Sequence, residues 1–119
     1  MLPSLGFEGT AKVINKGVDV TLLADASGAE ELYRISRHLV VCGISAAVVA
    51  VTELDPVDVR TIRYYEDTTP ALLIFDQKVA DAVIPVLRPE TKYYRMDYCS
   101  AADLMKQIAK MDLDEKRVK

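Results

Sequence analysis

The chain has 119 residues, half of them hydrophobic and 28% charged, and its formal net charge at pH 7 is -3. This length and composition are typical of one globular domain that buries its own core without disulfides or a structural metal. The one basic run, residues 116–119, is short, so neither nucleic acid nor a membrane surface is an expected partner.

The sequence also predicts the cellular compartment and the extent of the domain. Residues 1–4 lack the basic and apolar regions of a signal peptide, so we expect a cytoplasmic protein. The longest apolar run, residues 39–52, is too short to cross a bilayer. We expect a single domain over residues 1–119, in which residues 112–119 form a charged tail. Asn occurs once and Gln twice, a scarcity typical of thermophilic proteins.

The first half of the chain predicts a helix, a strand, a second helix and a second strand. Residues 5–16 carry apolar side chains at helical spacing, and residues 18–24 form a short apolar run typical of a strand. A helix is predicted to begin at Ser27, because Ser27 and Glu30 match the S-x-x-E capping box. Residues 44–51 are almost wholly apolar, which favours a strand covered on both faces, as in a parallel sheet.

The middle of the chain predicts a helix and then two strands. Asp55 is a suitable N-cap and Pro56 suits the first helical position, so we expect a helix from there to about Glu66. Residues 69–75 contain a third apolar strand, and residues 79–86 form another apolar run that predicts a fourth.

The fourth strand is expected at an edge of the sheet, because Pro85 has no amide to donate to a neighbouring strand. Residues 76–78 before it predict a short hairpin loop. Ser100 is placed to cap a final helix. The predicted order is strand, helix, strand, helix, strand, strand, helix, with a right-handed helical crossover between the parallel strands.

This order, together with the segment from Asp67 to Phe75, resembles the thioredoxin fold. Members of that superfamily carry a Thr-Pro or similar dipeptide before an apolar strand, with the proline in cis, and Thr69-Pro70 matches it. The resemblance implies an α/β, thioredoxin-like three-layer sandwich whose four-stranded mixed sheet has helices on both faces. In redox-active members a Cys-x-x-Cys motif opens the first core helix, but the matching residues 27–30 contain no cysteine. The resemblance therefore implies a redox-inactive member, because dithiol exchange needs that thiol pair.

Three residues at positions that the resemblance singles out are candidate binding residues. Ser27 lies where a helix N-terminus would attract an anion, and the alternative is that Ser27 is a plain N-cap. By the resemblance, the residue before the cis-proline pairs through its backbone with an extended peptide, which implies a peptide-binding role for Thr69 and Pro70. The alternative for these two residues is a tight turn with no further role.

Residues 88–98 form the most unusual stretch, because three tyrosines are interleaved with arginine and lysine. Tyr and Arg are enriched at the energetic centres of protein interfaces, which makes Tyr93, Tyr94 and Arg95 candidate binding residues. The same side chains would also suit stacked bases. The alternative is an extra strand or loop that packs its tyrosines on the edge of the sheet.

The two cysteines and the single histidine are candidate reactive groups. Cys42 lies among apolar residues, where a thiol is usually buried and inert. Cys99 precedes a predicted helix start, which can lower a thiol pKa. His38 is expected to be solvated, and the sequence shows no metal-ligand spacing and implies no cofactor.

Together these observations predict a non-catalytic module that binds a protein or peptide partner, or assembles with a second copy of itself. One alternative is an atypical thiol-disulfide redox protein that uses Cys42 and Cys99. Another is a small-ligand or RNA-binding domain that uses residues 88–98.

Overall fold

A five-stranded sheet runs through the computed structural model, which describes residues 11–54 and 57–110. The spatial order of the strands is β1-β3-β2-β4-β5. Strands β2 to β5 are parallel to one another, and β1 is antiparallel to its neighbour β3. The strands are β1 (Lys12–Asn15), β2 (Val20–Ala24), β3 (Ala46–Ala50), β4 (Leu72–Ile74) and β5 (Tyr93–Arg95).

The three central strands are buried along their whole length and, apart from Thr21, consist of Ala, Val, Leu and Ile. Successive side chains of a strand point to opposite faces, so these strands contribute side chains to two separate hydrophobic cores. Leu22 lies in the core on one face, and its neighbour Leu23 lies in the core on the other. Both faces of such a sheet require a covering layer of helices.

Two helices cover each face of the sheet. Helices α1 (Ala26–Val41) and α4 (Ala101–Lys110) cover one face, and α2 (Val59–Thr68) and α3 (Gln77–Val83) cover the other. A 3-10 turn, Ile84–Val86, follows α3. None of the helices in residues 11–54 and 57–110 is long and apolar enough to cross a membrane.

The prediction of a four-stranded sheet that ends in a hairpin is wrong. Residues 79–86 form most of α3 and the 3-10 turn, and residues 76–78 lead into that helix instead of forming a hairpin loop. The reason is local, because the Asp76 side chain accepts hydrogen bonds from the amides of Lys78 (2.9 Å) and Val79 (3.1 Å) and so caps a helix. The chain then crosses over to β5, which pairs with β4 in parallel.

The predicted N-terminal helix is also wrong where the structure describes it. Residues 12–15 of the predicted helix form β1, and residues 5–10 lie outside the described residues. Val13 of β1 pairs with Val49 of β3, which would otherwise be an edge strand. A β-carbon at the buried Gly17 would overlap the backbone of Ala46 in β3. This close approach lets the turn after β1 pass directly beside β3.

The helix starts were predicted with mixed success. Ser100 caps α4 as expected, since the Asp103 amide donates to its hydroxyl (3.1 Å). Helix α2 is capped by Asp58, which accepts from the Thr61 amide (3.1 Å). The predicted N-cap, Asp55, and Pro56 lie outside the described residues, and α2 ends at Thr68, close to the predicted end at about Glu66.

Candidate functional site

The end strand of the described sheet, β5, directs part of its backbone away from the sheet. The amide of Leu72 in β4 donates to the Lys92 carbonyl (3.0 Å), and the Met96 amide donates to a carbonyl of β4 (2.8 Å). In a parallel ladder such bonds come from alternate residues of each strand, so the even-numbered residues here face β4. The N–H and C=O groups of Tyr93 and Arg95 therefore point outward.

The side chains of β5 alternate between the two faces of the sheet. Tyr94 is half-buried and packs against the core beneath α1 and α4. Tyr93 is 41% exposed, so a large aromatic ring lies at the rim of the opposite face. Arg95 is on the same side as Tyr93, and its Nη2 atom lies 3.4 Å from Oδ1 of Asp81 in α3. The edge therefore offers aromatic and cationic side chains beside backbone groups for which the described part of the chain shows no partner.

An open groove of about 640 Å³ lies between β5 and α4. Its lining combines cations and aromatic rings with one amide side chain and one thioether, and contains no carboxylate. The lining residues are Lys92, Tyr93, Tyr94, Arg95, Met96, Gln107 and Lys110. This lining is cationic although the whole chain has a net charge of -3.

Thr69 and Pro70 lie at the amino edge of the sheet, just before β4. Thr69 is buried and ends α2, with its amide donating to the Tyr65 carbonyl (3.0 Å) and its hydroxyl 2.7 Å from that of Thr21. Pro70 lines a cavity of about 220 Å³ that also contacts Thr91, close to the start of β5. The Thr69 side chain is thus already engaged in internal hydrogen bonds.

Ser27 lies at the opposite, carboxyl edge of the sheet, so the structure does not bring it together with the other candidates. It is exposed in the first turn of α1, and the helix N-cap is Asp25, which accepts from the Gly28 amide (2.8 Å). The predicted Ser27–Glu30 capping box is therefore wrong. The Ser27 hydroxyl instead lies 3.4 Å from Asp25 Oδ1.

A cluster of two aromatic rings and two carboxylates, which the sequence analysis did not predict, lies at the carboxyl edge of the sheet. Its members are Tyr98, Phe75, Asp25 and Asp76. The ring of Tyr98 lies 5.5 Å from that of Phe75, between centroids. Burial and, to a smaller extent, the nearby carboxylates of Asp25 and Asp76 together raise the pKa of Tyr98 to about 12. Each aspartate follows an apolar strand and directly precedes a helix. This position in the sequence is the pattern from which the two aspartates could have been predicted. Both carboxylates cap helices, which gives the cluster a structural role.

No disulfide joins the two cysteines. Cys42 and Cys99 are free, and Cys42 is exposed at the end of α1, contrary to the expectation that it is buried. Burial and the carboxylates of Asp103 and Asp97 raise the pKa of Cys99, which is opposite to the predicted helix-start effect. A raised pKa disfavours the thiolate on which disulfide exchange depends.

His38 is exposed, as predicted, and lines an open groove with Cys42 between α1 and α4. Within the described ranges, no group of three His, Cys, Asp or Glu residues could hold a metal ion.

Among the comparisons with known proteins, only the comparison of structures finds a similar protein. No family model matches this chain, and no curated protein does. Among solved structures, a protein described as a split gene transketolase, inactive beta4 tetramer, matches 92% of this chain with a TM-score of 0.65 and 20% sequence identity. The chain has the fold of part of that transketolase. It spans 44% of the length of that protein.

This match corrects the identification with thioredoxin. The structurally similar protein is described as a transketolase, and the five-stranded sheet, with β1 antiparallel and four parallel strands, differs from a four-stranded thioredoxin sandwich. The implied role of Pro70 as a family cis-proline loses its basis with that identification. The peptide-binding role that the resemblance assigned to Thr69 loses the same support.

Proposed function

We propose that this chain is a non-catalytic binding module that takes an extended segment of a protein partner as an added strand beside β5. One observation carries the proposal: the backbone N–H and C=O groups of Tyr93 and Arg95 point away from β4 at the end of the sheet. Strand addition to such an edge gains affinity from the main chain and specificity from flanking side chains.

The side chains beside this edge support the same function. Tyr93 presents an exposed ring, and Tyr and Arg are the residue types that contribute most to protein interfaces. Tyr94 anchors the strand to the core, so the edge is held in place before a partner arrives. A preformed edge reduces the conformational entropy that binding must overcome.

The experiment uses proline to remove one outward donor. Random peptides of about ten residues, displayed on phage, are selected on the wild-type chain, and their affinities for variants are then measured. Tyr93→Pro removes an outward amide but none that pairs with β4, so we expect the variant to fold. We expect affinity to fall by about tenfold or more in Tyr93→Pro. Tyr93→Phe, which keeps the amide and the ring, should bind like the wild type, and Tyr93→Ala, which keeps the amide but loses the ring, should retain more affinity than Tyr93→Pro.

Amide hydrogen exchange gives an independent readout. In the free chain, the amides of Tyr93 and Arg95 should exchange quickly, whereas the Met96 amide, which is bonded to β4, should exchange slowly. A bound peptide should slow exchange at Tyr93 and Arg95. Peptides that bind without slowing these two amides, and that bind Tyr93→Pro normally, would refute strand addition.

A second copy of the chain is the second candidate partner. The observation that favours it is the description of the structurally similar transketolase as a beta4 tetramer. Sedimentation velocity over a range of protein concentrations measures self-association directly. Self-association through β5 should be lost in Tyr93→Pro and retained in Tyr93→Phe.

A further inference from the structure

We infer that the segment added beside β5 is acidic, with carboxylate side chains at alternate positions over the groove between β5 and α4. This inference rests on the proposed function and adds the chemistry of the partner. It commits to an extended segment of another protein, because the charges described below oppose a second copy of this chain.

The groove has a fixed floor and a cationic rim. Its floor is formed by Tyr94 and Met96, which pack against the core below. Lys92 and Lys110 lie at the rim, and both are exposed. Within residues 11–54 and 57–110, neither lysine has a carboxylate within ion-pairing distance. As far as the described residues are concerned, these ammonium groups are therefore available to an incoming carboxylate.

Arg95 differs from the two lysines, because it already pairs with Asp81. Both side chains of that pair are more than half exposed, at 54% and 61%, so the contact is readily exchanged for a partner carboxylate. The lysines thus carry the expected preference for acid, and that preference does not depend on Arg95.

The geometry of an added strand specifies the spacing of the acidic residues. Successive side chains of a strand point to opposite faces, so only every second residue of the partner lies over the groove. Carboxylates at alternate positions would therefore meet the lysine rim. The residues between them would lie on the face of Tyr93.

The same charges oppose a second copy at this edge. A β5 strand from another copy would bring its own Lys92 and Arg95 against those already present. Charged side chains on edge strands commonly prevent such edge-to-edge pairing. Cations at the edge would thus favour an acidic strand over a basic strand or a second copy.

The probe for this inference is an alternating Glu-Val peptide of about seven residues with a fluorescent label, followed by fluorescence anisotropy. The comparison peptide replaces Glu with Gln and keeps the length and the valines. We expect the Glu peptide to bind about tenfold more tightly at low ionic strength, and this ratio to shrink when salt is added.

The lysines are tested with a charge-matched pair of variants. Lys92→Gln combined with Lys110→Gln should remove most of the preference for the Glu peptide. Lys12→Gln combined with Lys16→Gln changes the charge equally at β1, the opposite edge of the sheet, and should leave the preference intact. All four lysines are exposed, so the variants should fold, which circular dichroism checks.

The possible failures are distinguishable. Equal binding of both peptides, with both lost in Tyr93→Pro, would overturn the acidic preference but leave strand addition standing. Peptide binding that is unchanged in Tyr93→Pro would overturn strand addition itself. Tighter binding of single-stranded oligouridylate than of the Glu peptide, also insensitive to Tyr93→Pro, would assign the groove to nucleic acid instead.

Discussion

At the scale of single residues, Glu66 in α2 connects a distant loop to the helix. Its side chain has no exposed surface. It accepts hydrogen bonds from Arg63 (2.6 Å), from the Arg88 amide (2.9 Å) and from the Thr91 hydroxyl (2.6 Å). Thr91 lies two residues before β5, so this carboxylate holds the chain at the point where the proposed binding edge begins.

Replacement of Glu66 should therefore be costly. We expect Glu66→Gln to lower the free energy of unfolding by about 2–3 kcal/mol, because it leaves buried donors with an amide in place of a carboxylate. Urea denaturation measures the change. The matched control is Glu31→Gln, whose Arg34 pair has the same 2.6 Å separation but lies in solvent, and it should cost less than about 0.5 kcal/mol. Equal losses in the two variants would contradict this account of Glu66.

The same carboxylate should make stability depend on pH. Burial raises the pKa of Glu66, but hydrogen bonds from Thr91, the Arg88 amide and Arg63 outweigh it, and the pKa lies below its ordinary value of 4.5. A depressed pKa contributes stability above the unfolded-state value, and that stability is lost as pH falls through the folded-state value.

We therefore expect the stability difference between wild type and Glu66→Gln to stay nearly constant down to about pH 5. It should narrow below pH 4.5, the ordinary pKa of the carboxyl group. Urea denaturation of both proteins at a series of pH values measures the difference. A difference that widens in acid would have the wrong sign for this mechanism.

At the scale of elements, aspartates determine where three helices begin. Asp25, Asp58 and Asp76 each accept a hydrogen bond from an amide in the first turn of α1, α2 and α3. Asp58 is the most deeply engaged of the three, since it is 8% exposed and also accepts from the Ala11 amide (3.1 Å). It therefore connects α2 to the residue that precedes β1.

Because Asp58 is more buried and accepts an additional hydrogen bond, its replacement should destabilise the protein more than replacement of another capping aspartate. We expect Asp58→Ala to lower the free energy of unfolding by about 2 kcal/mol, and the more exposed cap variant Asp76→Ala to lower it by about 1 kcal/mol. Asp58→Asn keeps one acceptor and should fall between wild type and Asp58→Ala. Thermal and urea unfolding measure these losses. An Asp58→Ala variant that loses less than Asp76→Ala would show that the bond to Ala11 adds nothing.

The buried strands were predictable at this scale, and α3 was not. Residues 18–24, 44–51 and 69–75 each contain an observed strand, because continuous apolar runs are a local property of buried strands. Residues 79–86 are also apolar and short, so their pattern fits a strand or a helix. The hydrogen bonds that the Asp76 side chain accepts from the first turn stabilise the helix instead of a strand.

At the scale of the whole molecule, the order of the strands depends on close approaches between distant segments. The buried Gly17 lies against the backbone of Ala46 and Ala47, where no side chain fits. The β1 edge therefore depends on glycine at this turn.

We expect Gly17→Ala to lower the free energy of unfolding by about 2–3 kcal/mol, since backbone cannot yield as a flexible side chain can. Gly43→Ala is the comparison: its backbone has a φ of 90° but open space around it, so strain alone should cost about 1 kcal/mol. Urea denaturation of both variants measures the two costs. A Gly17→Ala variant as stable as Gly43→Ala would show that β1 can move away from β3.

The amino-acid sequence alone determined that this is an α/β chain with buried strands, and it singled out residues 88–98. Those properties follow from local composition and periodicity, which one segment carries by itself. Tertiary structure alone decided that β5 is a parallel edge strand, that α4 and β5 enclose a cationic groove, and that Glu66 meets Thr91. These features depend on contacts between residues far apart in the chain, and several arrangements of strands satisfy the same local pattern until packing selects one.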